Sequence, residues 1–277
     1  MDAEVSTEHV AAEELTHLLD AIYRHYHYDF RGYAGASLKR RIASALIHFH
    51  CDTVEALTAD VLKEPTRFTE LLRFLTVQLS DMFRDPSYFL ALREQVVPVL
   101  ATYPSFKVWV PGCATGEEAY SLAILLQEEG LLERAQIYAT DIHPESLRIA
   151  ADGVFAIDRF ARFSQNYQLA GGKRSLSDYY TAEYSKGLLD RSLKKAILFT
   201  DHSLATDSVF AEMHLISCRN VLIYFDRELQ SRAVSLLYDS LVRRGFLGLG
   251  MKETLRFSAR AEGFHEFVPE CRIYQRL

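Results

Sequence analysis

The run Phe106-Lys-Val-Trp-Val-Pro-Gly-Cys-Ala-Thr-Gly-Glu-Glu-Ala-Tyr-Ser121 constrains the fold more than any other stretch of the chain. An apolar, β-forming segment leads into a turn carrying Gly112 and Gly116, and a helical pattern starts near Glu118. A second apolar run begins at Ala135 and ends on an acid, Asp141. Strand, glycine turn, helix, strand, acid is the order in which an open parallel sheet holds a nucleoside. The glycines let the backbone approach the ligand, and the acid binds ribose hydroxyls. A dinucleotide loop reads Gly-x-Gly-x-x-Gly, because its pyrophosphate rests on a helix N-terminus. Here the spacing is Gly-x-x-x-Gly, followed at once by Glu117. That carboxylate is a poor neighbour for pyrophosphate and a good one for a cation, so S-adenosylmethionine is expected rather than a dinucleotide.

The 277 residues are enough for one large domain or two modest ones. A net charge of −6 argues against a general nucleic-acid binder, whose phosphate contacts need a basic surface. Cys51, Cys113, Cys218 and Cys271 are scattered and form no Cys-x-x-Cys pair. The histidines lack metal-ligand spacing, so no metal site is expected. No apolar run approaches the roughly 20 residues that span a bilayer. A cytoplasmic, monomeric protein with reduced thiols and no membrane insertion is the expectation.

The first third reads as helical. Leu15, Leu18, Leu19 and Ile22 recur at helical spacing. Ser37 is the expected N-cap of a second helix, with Leu38, Ile42, Ala45, Leu46 and Phe49 on one face and Arg40 pointing away. Further helices are expected over 53–63 and 66–77. From Phe106 onward strands and helices alternate, which implies a parallel-rich sheet covered by helices. Expected strands are 107–110, 136–139, 196–199, 214–217, 246–250 and 273–275; expected helices are 117–129, 144–152 and 227–243. The stretch 160–195, with Gly171-Gly172 and two tyrosines, breaks the alternation and reads as a small β insertion. The expected division is a helical domain over 1–80, a linker contributing to the ligand pocket over 81–105, and an α/β domain over 106–277 carrying the insertion.

Four motifs in matching order carry a resemblance: Met82-Phe-Arg84, Gly112-Cys-Ala-Thr-Gly-Glu-Glu118, Ala139-Thr-Asp-Ile142 and Cys218-Arg-Asn-Val-Leu-Ile-Tyr-Phe-Asp226. Together they resemble the CheR family of chemotaxis-receptor methyltransferases, from about Leu15 to the C-terminus. The resemblance implies a Rossmann-like class I methyltransferase domain with an all-helical front domain and a β-subdomain insertion. It also implies methyl transfer from S-adenosylmethionine to glutamates of methyl-accepting chemoreceptor cytoplasmic domains, leaving S-adenosylhomocysteine.

Carried over by motif, the resemblance assigns cofactor contacts to Gln78, Ser80, Arg84, Gly112, Glu117, Asp141, Ser203, Leu204, Arg219 and Asn220. Arg84 and Tyr224 fall to the catalytic site, and Lys39, Arg40 and Arg41 to receptor docking. The family's linker motif, usually Asn-x-Thr-x-Phe-Phe-Arg, here has Gln78, Ser80 and Met82. Its later His-Asn-Leu reads His202-Ser-Leu204, where serine lacks the amide. Ser44 and Ala45 stand where many members carry a second arginine pair. Two other readings stay open: a methyltransferase of another acceptor, and a non-catalytic module that binds S-adenosylmethionine.

Overall fold

The computed structural model describes residues 10–78, 80–256 and 258–277. The chain divides into two units: the residues up to Val77 with Ile223–Gln230, and Gln78–Leu222 with Ser231–Leu277.

The first unit holds α1 (Ala12–Tyr26), α2 (Gly35–Phe49), α3 (Val54–Lys63) and α4 (Pro65–Leu75). Helix α1 buries Leu15, Leu18, Leu19 and Ile22, the residues whose spacing predicts it. Thr53 caps α3, its hydroxyl accepting the Ala56 amide at 3.1 Å, and Pro65 opens α4 where a missing N–H costs nothing. Tyr26 stacks on Phe68 with ring centroids 4.0 Å apart and donates to the Val61 carbonyl at 2.7 Å. Helix α2 departs from expectation, starting at Gly35 with Ala34 as N-cap and no side-chain cap. The chain near Tyr224 fixes this start instead. The Ala34 amide donates to the Tyr224 carbonyl and the Asp226 amide to that of Gly32, both at 2.8 Å.

The second unit runs α5 (Pro86–Ala91), a π-helical turn (Leu92–Val96), α6 (Val97–Leu100), β1 (Phe106–Pro111), α7 (Glu117–Glu128), β2 (Ala135–Asp141) and α8 (Pro144–Asp152). Then come β3 (Val154–Ala156), α9 (Phe160–Leu169), β4 (Tyr180–Glu183), β5 (Lys186–Leu189), α10 (Arg191–Lys194), β6 (Ile197–Asp201) and β7 (Met213–Cys218). Helix α11 (Arg227–Ser240), which enters this unit from Ser231, β8 (Leu241–Leu249), β9 (Phe264–Val268) and β10 (Ile273–Arg276) complete the order.

Seven strands form one sheet in the order β6-β2-β1-β7-β8-β10-β9. The first five are parallel, and β10 runs antiparallel to both its neighbours. The chain moves outward from β1 to β2 and β6, then crosses back to β7 on the other side of β1. Ligands of open α/β sheets bind beyond the carboxyl ends of the strands at such a reversal. Val108, Val110, Ile137, Ala139, Leu215 and Phe246 line one buried face with the apolar side of α7. This is the Rossmann-like α/β architecture expected from the sequence.

The region read as β from Phe160 differs in content. Three antiparallel strands, β3-β5-β4, begin earlier at Val154, and α9 lies between them in sequence. Phe160, Phe163 and Tyr167 are buried at helical spacing, a signal that the neighbouring glycines and tyrosines masked. The insertion is tied to α7 through Glu128. This carboxylate accepts from the Tyr167 hydroxyl, the Tyr179 hydroxyl at 3.0 Å, the Lys173 amide at 3.0 Å and Arg93 at 2.7 Å. Carboxylates at a helix C-terminus oppose its dipole. Arg93, carried inward by the π-helical turn, offsets this by also pairing with Glu129 at 2.6 Å.

Candidate active site

At the end of β1 the chain turns through Gly112 (φ +65°), Ala114 (φ +48°) and Gly116 (φ +94°) into α7. A Cβ at Gly112 would lie 2.5 Å from a methyl of Val221, so only glycine fits this turn. Asp141, at the end of β2, braces it from the side. One carboxylate oxygen accepts the Ala114 amide at 2.8 Å and the other the His143 amide at 2.9 Å. Burial pushes the Asp141 carboxyl up, and the amides of His143, Ala114 and Ile142 pull it part of the way back. A carboxylate offers about four lone-pair sites, so acceptor capacity remains for an incoming hydroxyl.

Glu117 and Glu118 open α7 and face different partners. Glu117 is 0 % exposed; it accepts from the Thr115 hydroxyl at 2.7 Å and pairs with Arg159 of the insertion at 2.8 Å. Burial raises its pKa against the pull of Arg159 and Thr115. Glu118 accepts from the Ser217 hydroxyl at 2.6 Å and from Arg219 at 3.0 Å. Ser217 in turn shares a 2.7 Å hydrogen bond with the Tyr88 hydroxyl.

Arg219, assigned to the cofactor by motif, has a side chain only 1 % exposed. Its guanidinium lies 4.1 Å from the centre of the Tyr88 ring and donates to the Arg84 carbonyl at 2.9 Å and to Asp85 at 2.6 Å. It braces the linker from inside. That linker is strained on both sides of Arg84. Phe83 (φ +52°) and Asp85 (φ +56°) are both left-handed, a conformation costing non-glycine residues about 1–3 kcal/mol each. Ser121 holds the Phe83 amide at 2.8 Å. The turn so fixed presents the Arg84 guanidinium, which donates to no described residue.

Asn220 is also left-handed (φ +60°), with its amide donating to Glu253 at 2.9 Å. Glu253 takes the Gly250 amide at 2.6 Å as well, so the ends of β7 and β8 are clamped together. Ser203 and Leu204 lie in a tight turn after β6. The Ser203 hydroxyl accepts the Ala205 amide at 3.2 Å, which uses one lone pair and leaves its O–H to donate. His202 packs edge-on to Trp109 and Phe210, each centroid 5.1 Å away. The Ser80 carbonyl accepts from Arg159. Leu79, between Gln78 and Ser80 in the linker motif, lies outside the described residues.

The docking and catalytic assignments in the first unit divide. On α2, Arg40 is exposed and Lys39 half-buried. Arg41 turns inward, donating to the Leu75 carbonyl at 2.7 Å and covering the Tyr224 ring at 5.0 Å. Burial lowers its pKa, although a guanidinium stays charged at any physiological pH. The Tyr224 hydroxyl, like the Arg84 guanidinium, has no hydrogen-bond partner among the described residues. Sequence reasoning missed Glu118, Ser217, Tyr88 and Arg159. The second acid of Gly-Glu-Glu was visible, but nothing local pointed to partners about a hundred residues away.

Residues 78–267 match the family model described as "CheR methyltransferase, SAM binding domain", and residues 13–76 match "CheR methyltransferase, all-alpha domain". The chain belongs to the CheR methyltransferase family. It is 54% identical to the protein named "Putative methyltransferase Cher3" of Pseudomonas putida over 263 residues, 95% of this chain and 96% of that one. It is 30% identical to a chemotaxis protein methyltransferase of Listeria monocytogenes over 232 residues, 82% and 84% of the two chains. An uncharacterized 104.1 kDa protein of Rhodobacter capsulatus is 29% identical over 88% of this chain, which spans 26% of that protein.

As a CheR-type methyltransferase the protein uses S-adenosylmethionine, and the residues gathered beyond the ends of β1 and β2 suit that molecule. Asp141 keeps acceptor capacity for a hydroxyl, and Glu117 and Arg159 set a carboxylate and a guanidinium side by side at the start of α7. Among the described residues no helix is long and apolar enough to cross a membrane.

Proposed function

We propose that this CheR methyltransferase methylates glutamate side chains of chemoreceptor cytoplasmic domains. The observation that carries the reading is the Arg84 guanidinium, presented by a left-handed turn and donating to no described residue, in a unit whose other motif residues are largely wired into the fold. A guanidinium suits a carboxylate. Listeria proteins named chemotaxis protein methyltransferase, similar over most of the chain, support a receptor as acceptor.

S-adenosylmethionine supplies an electrophilic methyl group on a cationic sulfur. Asp141 would hold the ribose end, beside the Gly112 turn that it braces. A glutamate acceptor, with a reference pKa of about 4.3, is ionised at neutral pH, so the chain needs no general base. Anion and cation neutralise one another along the path. A full positive charge beside the attacking oxygen would therefore favour the ground state. Tyr224 orients that carboxylate with one neutral hydrogen bond, and Arg84 orders the pocket and the acidic segment that enters it. Alignment of this kind is worth up to about 7–11 kcal/mol. Lys39 and Arg40 on α2 attract the acidic receptor, and the reaction runs in the cytoplasm.

The test is transfer of labelled methyl groups from S-adenosylmethionine to receptor cytoplasmic fragments, with mapping of base-labile esters. Tyr224→Phe should lower turnover and leave cofactor affinity nearly intact; an equal loss of affinity would reassign the residue. Tight cofactor binding with no labelled ester on any receptor fragment would favour the non-catalytic module.

A further inference from the structure

Arg159 lies outside every motif that carried the family resemblance, yet it touches two stretches that the motifs assign to the cofactor. One guanidinium nitrogen is 2.8 Å from Glu117. The other donates to the Ser80 carbonyl and lies 3.7 Å from Asp81. Asp81 is also held at 3.0 Å by Arg162. Phe155 and Phe163 pack against the Arg159 head, with ring centres 5.8 and 4.8 Å away, so the insertion presents it on an apolar base.

Glu117 has no exposed surface, whereas the Arg159 side chain is 29 % exposed. A ligand cation reaches Glu117 only if a neighbour gives way, and Arg159 is the exposed partner of the ion pair. Displacing it alone would break a largely buried pair and strand a cation beside an aspartate that already has a partner. Stranding one half of such a pair is costly. An α-amino acid avoids that loss, because it brings both charges. Its ammonium takes Glu117 while its carboxylate takes the released Arg159 nitrogen, and every charge stays compensated. The nitrogen on Ser80 need not move and serves as the pivot.

We propose that Arg159 is a cofactor-binding residue of the insertion, reading the carboxylate of the amino-acid end by salt-bridge exchange with Glu117. This rests on the reading that Glu117 receives the cofactor's ammonium. It leaves Arg84 free for the acidic acceptor, and it makes the insertion part of the methyl-donor site.

Calorimetry with S-adenosylmethionine and its decarboxylated analogue tests the assignment on the whole chain. The unsubstituted protein should prefer the carboxylate-bearing compound by about tenfold or more, the weight of a charge-assisted hydrogen bond. Arg159→Gln should bind S-adenosylmethionine correspondingly more weakly and no longer distinguish the two compounds. Arg159→Lys should retain part of the preference, and melting curves would confirm that both variants fold. Unchanged or tighter binding by Arg159→Gln, with the preference kept, would overturn the proposal and make Arg159 a plug over Glu117. Failure of Glu117→Gln to weaken either compound would instead remove the underlying reading of Glu117. The two failures are therefore told apart.

Discussion

The two sides of the candidate site are built from different materials. Beside β7, a network of side chains does the work: Glu118, Ser217, Tyr88, Arg219 and Asp85 join segments distant in sequence. At the end of β2, one side chain, Asp141, is held by amides of the turns it touches. The first arrangement stores charge in the interior and depends on every partner. The second depends on backbone that any sequence supplies, so only the carboxylate is particular to the task. Substitutions on the two sides should therefore fail in different ways: the network through the fold, and the lone acid through the ligand.

The largest effect is expected from Arg219→Ala. It removes the cation that is hydrogen-bonded to the buried Glu118 carboxylate and leaves only the more distant charge of Arg84, and removing one partner of such a pair costs about 3–5 kcal/mol. Denaturant titration reads this directly. Pairing it with Glu118→Gln should recover much of the loss, since the stranded charge is gone. A single variant within about 1 kcal/mol of the unsubstituted chain would show that water compensates Glu118 and that the brace is not a stability element.

Arg84→Ala sharpens the contrast because the two arginines belong to one network in opposite senses. Arg219 reaches Arg84 through its carbonyl, while the Arg84 guanidinium donates to nothing described. Its removal should shift stability by no more than about 0.5 kcal/mol. Methyl transfer should fall by about a hundredfold if positioning is lost. Loss of stability without loss of transfer would exchange the roles given to the two residues.

What the sequence revealed follows the same division. Gly112 and Asp141 were legible because their positions are set by local order, a turn after one strand and an acid after the next. The burying face of α1 was legible for the same reason, since helical periodicity is local. Arg219 was found as a motif residue, but identity did not reveal that its guanidinium is buried against Glu118, Tyr88 and the linker. Ser203 was likewise found, and its hydroxyl accepts an amide of its own turn. Arg159, Tyr88 and Ser217 had no local signal at all, because their value lies in partners supplied by other elements. Strand β9, Phe264-His-Glu-Phe-Val268, escaped because its buried residues sit at the two ends rather than alternating.

The smallest effect, and the finest test of the comparison, is in acid. Burial raises Glu117, Glu118 and Asp141 above ordinary carboxylates. For the ligand-free fold the sign is fixed: folded groups with raised pKa hold protons that the unfolded chain has released. Their contribution to stability is present below the unfolded value and is lost as pH rises through the raised one. Acidification therefore does not weaken the fold through these three groups. On the proposed ribose role of Asp141, cofactor affinity has the opposite sign, because the hydroxyls would donate to its anionic form. That affinity is complete above the raised pKa and falls as pH drops through it, starting above the ordinary aspartate value of 3.8. Titration of S-adenosylhomocysteine binding from neutral pH downward should show the loss while melting of the ligand-free chain shows none from these groups. In Asp141→Asn the affinity is lower throughout and the Asp141 limb disappears, leaving only what Glu117 and Glu118 contribute. An acid limb identical in the variant would mean that the charge being read belongs to the helix α7 pair and not to the acid at the end of β2.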